Sequence, residues 1–204
     1  MASVDWDGYR KAYPTYSFSQ LSTVNREIDN LYPVQAQGHV IHFASMFRLI
    51  GQMGYRVIEL GCHNGRLAKR LLDDFECIDT WTGYDFEWPI RRTVCSDLRY
   101  NAISLDEWFH DTELPEFNTF ICSHTLEHLS EAQLAKTLRH IADADNILIE
   151  VPLSEDGMDW SGFGCTHVLR LGLKHIRQWL AQNGFHIFYD VPRLGVLGAS
   201  KGAS

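Results

Sequence analysis

The chain has 204 residues, 45% of them hydrophobic and 22% charged, and its 26 acids against 18 bases leave a formal net charge of −8. A chain this apolar buries enough surface to offset its conformational entropy, which excludes disorder, and its length suits one domain. The acidic balance disfavours general binding of phosphate backbones, and no apolar run reaches the roughly 18–20 residues of a membrane span.

The N-terminus, Met1-Ala2-Ser3-Val4-Asp5-Trp6-Asp7, carries acid where a secretory signal carries base. The five cysteines, Cys62, Cys77, Cys95, Cys122 and Cys165, are scattered and form no Cys-x-x-Cys pair. Neither a disulfide framework nor a cysteine zinc knuckle is expected. The expectation is a cytoplasmic globular domain without membrane association; the oligomeric state stays open.

Residues 1–37 differ in texture from the rest. Trp6, Tyr9, Tyr13, Tyr16, Phe18 and Tyr32 stand among polar residues, with Pro14 and Pro33 as breakers. This segment reads as an aromatic-rich lid or cap, with a short helix around Leu21–Leu31, ahead of a main domain over residues 38–204. Packing of the same aromatics against the core is the alternative.

Helical spacing of Val40, Ile41, Ala44, Phe47 and Ile50 predicts a helix between Gly38 and Gly51. Strand and helix signals then alternate. Arg56–Leu60 predicts a buried strand, Arg66–Leu72 a helix and Thr80–Tyr84 a second strand. Pro89–Tyr100 carries Ile90, Val94 and Leu98 at i, i+4 and i+8, which predicts another helix with proline in its first turn. Ala102–Leu105 and Thr119–Ser123 predict strands, Leu126–Ile141 a helix, and Asn146–Val151 a fifth strand. Lys174–Asn183 predicts a helix stopped at Gly184. Phe185–Tyr189 and Leu194–Leu197 complete the set. Strands alternating with helices imply an α/β fold with a mostly parallel sheet.

In such sheets ligands bind at the carboxyl ends of strands. The first strand ends in Glu59-Leu60-Gly61-Cys62-His63-Asn64-Gly65-Arg66. Gly61 and Gly65 let the backbone approach a ligand closely. The dinucleotide pattern Gly-x-Gly-x-x-Gly fails, because His63 and Arg66 take its second and third glycine positions. A nicotinamide enzyme is disfavoured, and no Gly-x-x-x-x-Gly-Lys-Ser/Thr phosphate loop exists.

An acid at the strand end followed by a Gly-rich turn resembles the first motif of the class I S-adenosylmethionine-dependent methyltransferases. Glu59, Gly61 and Gly65 match it, and His63 replaces its middle glycine. Asp85 follows Glu59 by 26 residues, where that family places its ribose-binding acid; two carboxylate oxygens suit two vicinal hydroxyl donors. Phe117-Asn118 stands where many members have Phe-Asp. Ser123-His124-Thr125-Leu126-Glu127-His128-Leu129 resembles the signature after strand four, and Ile149-Glu150-Val151-Pro152 the end of strand five. Cys165-Thr166-His167-Val168 and Asn183-Gly184-Phe185 are similar to the segments around the last helix.

The resemblance implies a Rossmann-like, seven-stranded, mostly parallel sheet flanked by helices, with S-adenosylmethionine as cofactor. It assigns Glu59, Gly61, Cys62, His63, Gly65, Asp85, Phe86, Asp106 and Ser123 to cofactor binding. Asp97 replaces Asp106 near adenine if the third strand is Thr93–Ser96. Its expected activity is methyl transfer to an oxygen or nitrogen of a small-molecule or glycan-like acceptor, with no metal and no nucleic acid. His124, His128 and His167 are the candidate bases, since imidazole titrates near neutral pH.

Two alternatives stay open. On a helix His124, Glu127 and His128 would share one face, and with His167 they are similar to the metal site of methyltransferases acting on RNA 3′ ends. A non-catalytic S-adenosylmethionine-binding domain is the other.

Overall fold

The structure is a computed structural model that describes residues 40–85, 90–91, 93–110, 113–151, 159–160, 165–166 and 173–202. Within them the first helix, α1, covers residues 40–50. It is followed by β1 (Tyr55–Leu60), α2 (Arg66–Asp74), β2 (Ile78–Asp85), β3 (Tyr100–Ser104), α3 (Leu105–Phe109) and β4 (Thr119–Ser123). Next come α4 (Glu131–His140), β5 (Asn146–Glu150), a two-residue pair β6 (Asp159–Trp160) and β7 (Cys165–Thr166), α5 (Leu173–Gln182), β8 (Phe185–Val191) and β9 (Val196–Lys201).

The central strands are buried on both faces, as their near-continuous apolar sequence requires. Alternation along each strand divides the core in two. Val57, Ile121 and Leu148 point towards α1 and α2 with Phe43, Phe47, Leu71 and Trp81. Ile58, Leu60, Phe120, Cys122, Ile147 and Ile149 point the other way, onto Trp108 of α3 and Ile176 and Leu180 of α5. The result is helix, sheet, helix in three layers.

Seven strands form one sheet in the order β3-β2-β1-β4-β5-β9-β8. The first five pair in parallel, β9 runs antiparallel to β5, and β8 antiparallel to β9. Strand order reverses between β1 and β4, so the crevice of this sheet opens beyond Leu60 and Ser123. The α/β class, the seven strands and their mostly parallel arrangement agree with the sequence. No described helix is long and apolar enough to cross a membrane, and Cys62, Cys77, Cys95 and Cys122 are free thiols.

Several elements differ from expectation, among them Leu105, which opens α3 instead of ending β3. The helix predicted over Pro89–Tyr100 does not run to its expected end: Ile90 is helical, but residues 93–97 lack regular structure, and Leu98 is fully exposed in a turn that leads into β3. Arg99 overrides the helical spacing. Its guanidinium donates to the carbonyls of Leu72 (2.7 Å), Phe75 (3.3 Å) and Ile78 (3.1 Å), so the chain must lie across the end of α2.

The helix predicted over Leu126–Ile141 divides into a 3-10 turn, Leu126–His128, and α4. Ser130 causes the break, because it caps α4 in a reciprocal box with Gln133. The last strand begins at Val196 rather than Leu194. Gly195 sets that limit with φ +70, where a Cβ would lie 1.8 Å from the Val151 carbonyl oxygen. The helix expected near Leu21–Leu31 and the lid over residues 1–37 lie outside the described residues.

Candidate active site

The turn after β1 is held from three sides. Gly61 and Cys62 donate their N–H groups to the Tyr84 carbonyl at 2.8 and 3.2 Å, prolonging the parallel ladder past the strand. The Gly65 N–H donates to the Cys62 carbonyl at 2.9 Å, and Val94 N–H reaches the Asn64 carbonyl at 2.9 Å. Gly61, His63 and Gly65 all have positive φ, at 83, 48 and 76°. Histidine is among the residues that tolerate this region, and the His63 side chain stands exposed to solvent. A bulky residue thus replaces the family's middle glycine without filling the turn.

Close approach explains the glycines. A Cβ on Gly61 would lie 1.8 Å from Thr125 Oγ1, and one on Gly65 2.9 Å from Tyr100 Oη. Gly83, midway along β2, lies beneath Cys62, whose Sγ would be 2.6 Å from an added Cβ.

The acids separate into different environments. Asp85 ends β2, and its Oδ2 accepts the His63 N–H at 2.6 Å, which places the carboxylate at the turn. Glu59 is only 3% exposed and accepts from Trp81 Nε1 at 3.0 Å, so it supports the turn from the core. Burial pushes its carboxyl up to about 8, against the Trp81 hydrogen bond and with the Asp85 charge adding to the rise.

Asp106 lies in the first turn of α3, directly past the carboxyl end of β3, where its N–H donates to Ser104 Oγ at 3.4 Å. Asp97 lies at the other end of that strand. It pairs with Arg99 at 2.6 Å, and the Arg99 hydrogen bonds hold its carboxyl down at about 2. Between the two, Asp106 is on the side of the sheet that carries the crevice.

The second wall follows β4. Ser123 pairs with Glu150 across the sheet, and Ser123 Oγ donates to Glu150 Oε2 at 3.0 Å. His124 has φ +51, and its N–H donates to the Glu150 carbonyl at 3.0 Å. Its ring spans two carboxylates: Nδ1 is 3.5 Å from Glu127 Oε1, and Nε2 is 3.6 Å from Glu150 Oε1. Burial lowers the imidazole's proton affinity, but the hydrogen bonds and charges of Glu127 and Glu150 outweigh it and raise His124 to about 9.

The helical face expected for His124, Glu127 and His128 is not built. His124 precedes the 3-10 turn in a left-handed conformation and meets Glu127 from a loop. His128 ends the turn half-buried, its N–H on the Thr125 carbonyl at 3.0 Å. Phe86 and His167 lie outside the described residues. Among these residues no group of three His, Cys, Asp or Glu side chains has a metal-holding arrangement.

Sequence reading missed Trp81, Gly83, Tyr100, Thr125 and Glu150 as parts of this site. Gly83 carried a signal, because glycine inside a strand marks close backbone approach. Glu150 carried another, as an acid that ends an apolar strand just as Glu59 and Asp85 stand at theirs.

Comparison with known proteins agrees with this geometry. The methyltransferase domain family matches residues 24–189. Similar solved structures include the methyltransferase domain of a bacterial CtHen1, with 15% identity over 81% of this chain and 98% of that one, at a TM-score of 0.60. Magnesium protoporphyrin IX methyltransferase (ChlM) from Synechocystis PCC 6803, solved with bound SAM, shares 18% over 83% of this chain and 81% of its own, at 0.60. Human N-acetylserotonin methyltransferase, also in complex with SAM, shares 17% over 96% and 62%, at 0.61. At these identities the structures show the shared fold. No curated protein matches the chain. With the family match over most of its length and the sheet order on the page, the chain belongs to the methyltransferase domain family and is a class I S-adenosylmethionine-dependent methyltransferase.

Proposed function

We propose that this enzyme methylates an oxygen or nitrogen of a small-molecule or glycan-like acceptor in the crevice between the Gly61–Gly65 turn and the Ser123–His128 segment. One observation carries the reading: Thr125 touches Gly61, so the cofactor turn and the histidine-bearing loop meet at the switch point of the sheet.

The cofactor fits the residues present. The turn is glycine at both points of close approach, and Asp85 is anchored at its mouth by the His63 N–H. Asp85 would take the ribose hydroxyls and Asp106 the adenine side, with Cys62, His63, Phe86 and Ser123 around them and Glu59 supporting from the core. The bound cofactor supplies a methyl group already activated as a sulfonium, so the protein's main task is alignment.

The chain's own groups then divide the work. An imidazole held protonated between two carboxylates takes up no second proton near neutral pH, so His124 organises the loop. His128 and His167 are left as bases for a hydroxyl acceptor. The −8 charge favours a non-nucleic-acid acceptor. The acceptors named for two similar folds, magnesium protoporphyrin IX and N-acetylserotonin, are small molecules.

A second reading has its own support. A small RNA methyltransferase, HEN1, is among the similar folds, with 14% identity over 83% of this chain and 25% of its own, at a TM-score of 0.61. The His124-x-x-Glu127-His128 spacing parallels the metal-binding pattern that accompanies RNA 3′-end methylation. A metal there requires His124 to lose its proton and leave Glu150.

Turnover of radiolabelled S-adenosylmethionine against pooled small hydroxyl and amine acceptors, glycans and short RNAs tests both, each with and without chelator. Chelator-insensitive labelling of a small acceptor is the expected result. Labelling of RNA alone, abolished by chelator and restored by divalent ion, would replace it with the second reading.

A further inference from the structure

Two buried carboxylates share a single histidine at the carboxyl ends of β4 and β5. The Glu127 side chain is 1% exposed and that of Glu150 7%, whereas His124 between them is 34% exposed. Glu150 is fixed by Ser123, which donates to its Oε2. Glu127 differs: its described partner is the His124 ring at 3.5 Å, and no donor stands at close hydrogen-bonding distance from either of its carboxylate oxygens among the described residues. His124 Nδ1 stands 3.5 Å from Glu127 Oε1 and its Nε2 3.6 Å from Glu150 Oε1, both well beyond the roughly 2.7–2.9 Å of a tight charge-assisted bond.

A buried carboxylate with one looser ion-pair partner and no close donor has its desolvation cost only partly compensated. A cation with its own N–H donors, brought against Glu127, removes that cost. We infer that Glu127, backed by Glu150, is the subsite for a cationic nitrogen of the acceptor, so that the preferred acceptors carry an ammonium group beside the atom that is methylated. The inference rests on the methyltransferase reading and narrows its acceptor class, from any small or glycan-like molecule to amine-bearing ones such as amino sugars.

The position suits this role. Glu127 lies four residues beyond Ser123, on the loop that Thr125 presses against the Gly61 turn. An ammonium reaching this carboxylate, once the His124 ring gives way, would fix the acceptor's orientation beside the proposed cofactor turn, where alignment sets the rate. The imidazolium of His124 occupies part of the field in the free protein. Its ring already reaches Glu150 Oε1 through Nε2 at 3.6 Å, so it keeps one carboxylate when an ammonium takes the other.

The test uses the full chain and matched probes: glucosamine against glucose, and benzylamine against benzyl alcohol, titrated into protein saturated with S-adenosylhomocysteine at pH 6.5. The amine of at least one pair is expected to bind about tenfold or more tightly than its hydroxyl partner, from one charge-assisted hydrogen bond. Glu127→Gln should erase that preference while S-adenosylhomocysteine affinity, which also reports folding, stays unchanged. Equal affinity within both pairs in the wild-type protein would overturn the inference, without need of the variant. Saturable binding of magnesium or manganese that excludes the amines would overturn it in favour of a metal at the same carboxylates. Failure of S-adenosylhomocysteine itself to bind would instead bring down the methyltransferase reading, and this inference with it.

Discussion

The His63 backbone N–H donates to Asp85 Oδ2 at 2.6 Å, and this bond joins the glycine turn after β1 to the acid that ends β2. The donor is a backbone group, so the bond is available to every residue at position 63 except proline. That explains how a histidine can stand in the middle glycine position while the carboxylate stays in place.

The proposed function gives Asp85 two tasks, anchoring the turn and holding the ribose, and its variants should separate them. Asp85→Ala removes the anchor of the turn and two charge-assisted acceptors for the ribose, each worth about 1.5–3 kcal/mol. S-adenosylhomocysteine affinity, read by titration calorimetry, should fall at least tenfold while the melting temperature moves little. Asp85→Asn keeps one acceptor oxygen and should fall between the two. An unchanged dissociation constant in Asp85→Ala would remove this acid from the cofactor site.

Gly61 offers a second check on how the two loops meet. Alanine there meets the left-handed backbone penalty of about 1–2 kcal/mol, and its Cβ strikes Thr125 Oγ1 1.8 Å away. Gly61→Ala should lower both stability and cofactor affinity. Adding Thr125→Ala removes the struck oxygen and should return part of the loss in thermal melts. No recovery in the double variant would mean that backbone strain at Gly61 and the remaining residue-125 Cβ, 2.9 Å away, set the cost.

Much of this architecture was legible because the strands are buried on both faces and so read as short apolar runs. Thr119–Ser123 was predicted to the residue, and β1, β2 and β5 to within two residues at either end. What misled the reading was tertiary. Ile90, Val94 and Leu98 have helical spacing, yet Leu98 is fully exposed and Arg99 binds the end of a helix more than twenty residues earlier. Nothing local announces such a bond. The Ser130–Gln133 capping box was visible in the sequence and should have divided the helix drawn from Leu126 to Ile141. The site shows the same division. Turn and strand-end acids could be placed from spacing, whereas the His124 ring between Glu127 and Glu150 depends on a positive φ and on β4–β5 register.

Arg99 itself is open to test. Its guanidinium satisfies the Leu72 and Phe75 carbonyls at the end of α2, the Ile78 carbonyl of β2 and both oxygens of Asp97. The side chain is 30% exposed, which reduces the value of each bond. Arg99→Ala should cost about 2–3 kcal/mol in urea denaturation. Arg99→Lys should recover less than half, since one ammonium cannot span that fan of acceptors. Cofactor affinity should be nearly unaffected, because this bond lies at the amino end of the sheet.

Glu59 gives the fold a pH dependence of unusual sign for a carboxylate. Burial against Trp81 raises its folded value to about 8, while an ordinary glutamate lies near 4.5. Between those two values the native protein keeps a proton that the unfolded chain has released. Its contribution to stability is thus complete below about pH 4.5 and is lost progressively as pH rises towards about 8, at up to about 1.4 kcal/mol per pH unit. Glu59→Gln retains an acceptor for the Trp81 N–H but cannot ionise, so this part of the decline should vanish. Urea denaturation of both proteins at pH 5, 6.5 and 8 reads the difference directly. The variant should gain on the wild type at each step upward in pH. Parallel stability curves would mean that Glu59 is ionised in the folded protein, with the Trp81 hydrogen bond and local relaxation overcoming its burial.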